Sequence, residues 1–207
     1  MTVQYLVNGL TMGLIYALIA VGYSLVFGIL KMINMAHGAI YAFGAHMILM
    51  FVTWNLGTIP AVILSIIFTG GLLVIYDRSI LALLRKKKAP GIAALVTTIG
   101  FSYIITNGLQ ILFGTEIKSF PALLGTKMIE IGNIKFALSQ VYILIVSVIL
   151  LVGLSLLIHK SKIGLAMQAV EQNPRAADLM GINAKAVISV TFFLSGMSAV
   201  IAALLLA

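Results

Sequence analysis

Five stretches of this sequence contain no Asp, Glu, Lys or Arg: 1–30, 32–76, 89–115, 136–159 and 186–207. A helix needs about 20 apolar residues to cross the hydrocarbon core of a bilayer, so each stretch is long enough for one crossing. Stretch 32–76 is long enough for two. It breaks at Trp54-Asn55-Leu56-Gly57-Thr58-Ile59-Pro60, where Trp54 suits the membrane interface and Pro60 a first helical turn. Six spans are therefore predicted, near 5–30, 34–53, 60–76, 91–114, 139–158 and 186–207. The fold class that follows is all-α: a polytopic transmembrane helical bundle forming a single domain over 1–207.

Composition excludes the competing classes. The 207 residues are 62% hydrophobic and 9% charged, whereas soluble globular chains carry about 25% charge. So few charges cannot cover a water-facing surface, which rules out a soluble enzyme domain and a disordered tail. The formal charge of +8 does not imply nucleic acid, because the basic residues fall in short clusters between apolar runs. Such clusters hold loops against an anionic leaflet. With no cysteine, a disulfide framework and a thiolate metal site are both excluded. No basic residue precedes the first apolar run, so the first span is expected to stay rather than be cleaved as a signal peptide.

Basic residues also orient the bundle. Segment 77–90 carries Arg78, Arg85, Lys86, Lys87 and Lys88 against Asp77 alone, and segment 159–185 carries Lys160, Lys162, Arg175 and Lys185. Segment 116–135 is nearly balanced. The positive-inside rule puts the first two in the cytoplasm, the third outside, and Lys31 inside. Within the outer segment, residues 127–136 alternate polar and apolar around Gly132-Asn133, the pattern of a small β-hairpin.

Inside the spans the absence of charge is itself informative. Ion-coupled carriers keep an intramembrane carboxylate to bear the coupling charge, so uphill transport here would draw its energy from another subunit. Small residues recur at helical spacing in the first span (Gly9, Gly13, Ala17, then Ala20, Ser24, Gly28) and the last (Ser195, Ala199, Ala203). They would pack within the chain or against a second membrane subunit. In the second span, Asn34, His37, Tyr41 and Gly44 fall within about a third of a helical circumference, with His46 on the opposite face. His37 either bonds a neighbouring helix or lines a path, and the opposed histidines do not share a metal on one straight helix. Thr98, Ser102, Thr106 and Gln110 form a slowly drifting polar stripe facing either a path or other helices. The candidate path residues are thus Asn34, His37, Tyr41, Thr98, Ser102, Thr106 and Gln110; no metal site and no catalytic group is expected.

The loop 163–182 is the most informative segment. Asn173 suits an N-cap, Pro174 the first helical position, and Gly181 a left-handed terminator. A helix of about two turns is predicted over 174–180, with Arg175 and Asp178 as a weak pair, preceded by another short helix near 164–171.

Here the sequence resembles the permease subunits of ATP-binding-cassette importers, specifically those for branched-chain amino acids. Gly13 to His46 is similar to that family's first two spans, with their N-x-A-H-G signature. Ala176, Ala177 and Gly181 fit the importer pattern E-A-A-x-x-x-G, and LSGMSAVIAALLLA resembles the next span. Two features depart from the pattern. Arg175 stands where the pattern has Glu, and Asp178 where relatives often carry Arg, so the pair looks charge-swapped. The chain also stops at Ala207 inside or just after a span, where family members continue, which predicts a truncated product. The resemblance implies a coupling loop bearing Glu171, Asn173, Pro174, Arg175, Ala176, Ala177, Asp178 and Gly181. It further implies a bacterial-type cytoplasmic membrane, a second permease subunit, two cytoplasmic ATP-binding subunits carrying ATP and Mg, and an external solute-binding protein. This chain has no G-x-x-x-x-G-K-[ST] loop, so no cofactor is expected on it. A permease for urea or short amides, or a passive channel for a small neutral solute, are the alternative readings.

Overall fold

A computed structural model describes residues 2–116, 120, 128–131 and 134–206. The chain runs α1 (Thr2–Leu30), α2 (His37–Thr53), α3 (Thr58–Tyr76), a π-helical turn (Asp77–Leu81), α4 (Ala82–Lys86), α5 (Gly91–Phe113), β1 (Met128–Ile131), β2 (Ile134–Ala137), α6 (Leu138–Lys160), α7 (Lys162–Gln172), α8 (Pro174–Leu179) and α9 (Ala184–Leu206). Five helices are long and apolar enough to cross a membrane, and His37–Thr53 is a shorter apolar helix. The protein is a multi-pass helical bundle.

Two helix limits differ from the sequence reading for physical reasons. The third helix does not stop at residue 76 but continues through the π turn to Lys86 as one 29-residue unit. Asp77, which ends the charge-free run, is buried there by pairing with Arg85. The second helix begins at His37 and not at 34. Asn34 Oδ1 accepts from the Ala36 amide at 3.1 Å, and that local side-chain bond holds the chain in a turn before α2 starts.

α9 is the centre of the bundle and packs against α1, α2 and α3. Its small residues admit close crossings. Gly196 lies 3.1 Å, measured from the Cβ it lacks, from Gly70 Cα of α3, and Gly44 of α2 sits likewise against Val200. Phe192, Ala199, Val200 and Ala202 are fully buried. Between α5 and α6, β1 and β2 pair antiparallel, Met128 with Ala137 and Ile131 with Ile134. Residues 117–119, 121–127, 132 and 133 of the outer segment lie outside the described residues.

Candidate functional site: a polar groove and a braced loop

The second span's polar groups do not lie on one helical face, since Asn34 precedes the helix. They meet nonetheless. Asn34, Met35, His37 and Gly38 line an open groove of roughly 420 Å³ whose other wall is α1, with Tyr16, Tyr23 and Ser24. His37 is 5% exposed, so its imidazole belongs to the floor of the groove rather than its rim. Its ring stands edge-on to Tyr23 with centroids 6.2 Å apart, and Nδ1 lies 3.5 Å from Ser195 Oγ of α9. His37 thus touches a neighbouring helix and also lines a cavity.

Gly22 makes this junction possible. A Cβ there would fall 2.1 Å from Ser198 Oγ and 3.1 Å from His37 Cε1, so α1, α2 and α9 converge only because the side chain is absent. Sequence reasoning missed Gly22, which sits off the small-residue stripe, and the Tyr23 that adjoins it.

The other expected path residues disperse. Tyr41 is half-buried among apolar neighbours of the core instead of in the groove. Thr98 is buried and braces the α1–α2 turn. Its Oγ1 accepts from the Met35 amide at 3.2 Å and donates to the Leu95 carbonyl at 2.8 Å. Ser102 is half-buried, and Thr106 and Gln110 are exposed. Four-residue steps overshoot a helical turn by about 40° each. Three such steps carry the stripe from the α2 contact around to the outer face. His46 turns away from the groove, with Nδ1 2.9 Å from the Ala42 carbonyl and its ring against Phe113.

The loop after α6 is built from successive caps. Ser161 Oγ accepts from the Gly164 amide at 3.0 Å and starts α7. Asn173 Oδ1 accepts from the Arg175 and Ala176 amides at 3.0 and 3.1 Å, with Pro174 at the first helical position of α8. At the far end Gly181 takes φ +85°; its amide bonds Asp178 O and the Ile182 amide bonds Ala177 O, a Schellman terminator. Ala177 turns inward to the core, while Arg175, Leu179 and Met180 face out. Gly164, also missed from sequence, is required by contact: a Cβ would sit 2.1 Å from the Ile158 carbonyl oxygen.

One expected pair is absent. No ion pair joins Arg175 to Asp178 among the described residues; Asp178 Oδ1 instead accepts from the Ala184 amide at 2.9 Å. The free amides at the start of α9 compete for that carboxylate, and a buried backbone donor gains more than an exposed cation. Glu171 pairs with Lys31 at the end of α1. The loop is thereby tied to α9 by Asp178 and to α1 by Glu171; α1 is one wall of the groove, and α9 touches the groove's His37 through Ser195.

The profile of the family described as branched-chain amino acid transport system, permease component, matches residues 5–207. The chain is 32% identical to the high-affinity branched-chain amino acid transport system permease protein BraD of Pseudomonas aeruginosa, over 98% of this chain and 70% of that one. It is also 32% identical to the permease protein LivH of Escherichia coli, and 31% to that of Salmonella typhimurium, with the same coverage. No solved structure matches.

Proposed function

The chain belongs to the family of branched-chain amino acid transport permease components, and from that membership we propose that it is the membrane-spanning subunit of an ATP-driven importer for leucine, isoleucine, valine or a related amino acid. In this reading it lies in a bacterial inner membrane with its basic segments in the cytoplasm. It pairs with a second permease subunit and docks two cytoplasmic ATP-binding subunits, which hold ATP and Mg and perform the hydrolysis. An external binding protein delivers the solute. The chain itself moves solute and catalyses no bond change.

The observation that carries the coupling part of this reading is the double tie of the loop. α8 is capped at both ends, displays Leu179 and Met180 at 90% and 75% exposure, and is held to α9 through Asp178. A push from a closing ATPase on α8 would move the α9 end through that tie and the α1 end through Lys31–Glu171. Both motions act on the groove at Asn34 and His37, which in this reading is one wall of the path. Polar groups at membrane depth face protein or water rather than lipid, so the groove calls for a second permease subunit over it. Alternating access is then a change in how the two walls meet.

Reconstitution with the ATP-binding subunits and loaded binding protein tests this. Asp178→Ala should leave a folded permease whose ATPase is still recruited but whose uptake per ATP falls. Uptake that continues without ATP would instead favour a passive channel.

A further inference from the structure

The π turn after α3 places a buried carboxylate beside two guanidinium groups, and transport as read above makes no use of them. π turns inside α-helices often mark functional positions. Asp77, Arg78, Arg85, Asn183 and Lys185 line a cavity of roughly 440 Å³ between the end of α3 and the start of α9. Three cations against one carboxylate leave two positive charges there. Each arginine is held in place: Arg78 Nε donates to Ser189 Oγ at 3.0 Å, and Arg85 Nη2 lies 2.6 Å from Asp77 Oδ1. Arg85 Nη1 is buried with no hydrogen-bond partner among the described residues. One unfilled donor on Arg85 and the paired Asp77 carboxylate therefore lie beside one cavity near the end of a membrane-crossing helix.

We propose that this cavity binds the headgroup of phosphatidylglycerol, its phosphodiester on Arg85, Arg78 and Lys185 and a glycerol hydroxyl on Asp77. Fixed guanidinium forks match phosphate oxygens. The surplus charge disfavours headgroups carrying an ammonium, and the carboxylate disfavours a bare phosphate that lacks a hydroxyl to donate. A lipid source suits the position, since the cavity adjoins the end of the 29-residue apolar helix Thr58–Lys86, where headgroups lie. The inference does not depend on which solute is transported.

The test is lipid retention by the full chain in its assembled complex, extracted in detergent and exchanged against defined lipids. Phosphatidylglycerol should be retained in preference to phosphatidylethanolamine and phosphatidic acid. Lys185→Gln and Arg78→Gln should each lower its retention about fivefold, whereas the double change Lys87→Gln/Lys88→Gln should alter it little. Lys185→Gln is exposed and leaves the Asp77–Arg85 pair intact, so folding is checked by an unchanged thermal midpoint in lipid-free detergent. Equal losses at Lys87 and Lys88 would reduce the effect to general surface attraction and overturn the site. Phosphatidic acid bound as tightly would overturn the role of Asp77, and inorganic phosphate protecting as well as a short-chain phosphatidylglycerol would overturn the lipid source.

Discussion

α1 and α9 carry the same device, small residues at steps of four, and the fold treats them in opposite ways. In α9, Ser195, Ala199 and Ala203 are all at most 2% exposed, because this helix has α1, α2 and α3 around it. In α1, Gly9, Gly13, Ala20 and Ser24 are exposed, and a Cβ at Gly9 or Gly13 would meet nothing within 4 Å. Of the two readings open for these stripes, packing within the chain holds for α9 and does not hold for α1. Its contact with α9 uses the opposite face, through Ile15, Leu18 and Gly22. A small residue permits close approach without specifying who approaches. In the reading proposed here, the α1 stripe and the groove beside it face the second permease subunit.

This contrast can be broken at its occupied end first. Gly164→Ala should have the largest effect, since its Cβ would meet a backbone carbonyl that cannot rotate away. Overpacking of this kind costs about 3 kcal/mol, seen as a lower thermal midpoint and less folded protein in the membrane. Gly22→Val should cost about 2 kcal/mol, because Ser198 Oγ can yield only by giving up its bond to the Ser195 carbonyl. Transport should fall with it, as His37 is displaced.

Gly181→Val comes next, at about 1–2 kcal/mol for a left-handed residue bearing a Cβ. The spans should remain inserted while stimulated ATP hydrolysis in the reconstituted complex declines; unchanged stimulation would remove α8 from the coupling path. Gly13→Leu sharpens the comparison from the empty side. Stability of the single chain should move by less than about 0.5 kcal/mol, while crosslinking to a second permease subunit should drop. A loss of stability as large as that of Gly22→Val would show that the α1 stripe packs internally after all. Smallest is Lys31→Gln, which removes an exposed pair worth at most about 1 kcal/mol. It should lower the coupling ratio slightly and leave the thermal midpoint in place.

The parts legible from sequence are those governed by local chemistry. Asn173, Pro174 and Gly181 define α8 because a side-chain cap, a preset φ and a missing Cβ act within a few residues. The antiparallel pair around residues 132–133 was legible for the same reason. Asp178 was misread because its partner, the Ala184 amide, lies across a turn and offers a donor that charge counting does not see. Thr106 and Gln110 were read as one stripe with Thr98 because spacing is visible and the slow rotation of that stripe away from α2 is not.

By itself the sequence determined that this chain spans a membrane several times as helices, which segments connect them, and that a capped helix precedes the last span. Backbone groups in hydrocarbon must be satisfied within their own segment, so charge-free runs become helices whatever their neighbours. Tertiary structure alone decided that α9 is central, that Gly22 brings His37 to Ser195, that Asp77 is buried, and that one small-residue stripe is covered and the other open. Lipid and protein interior are equally apolar to a helix, so hydrophobicity cannot say which face turns inward. Only the fit of one helix surface against another can.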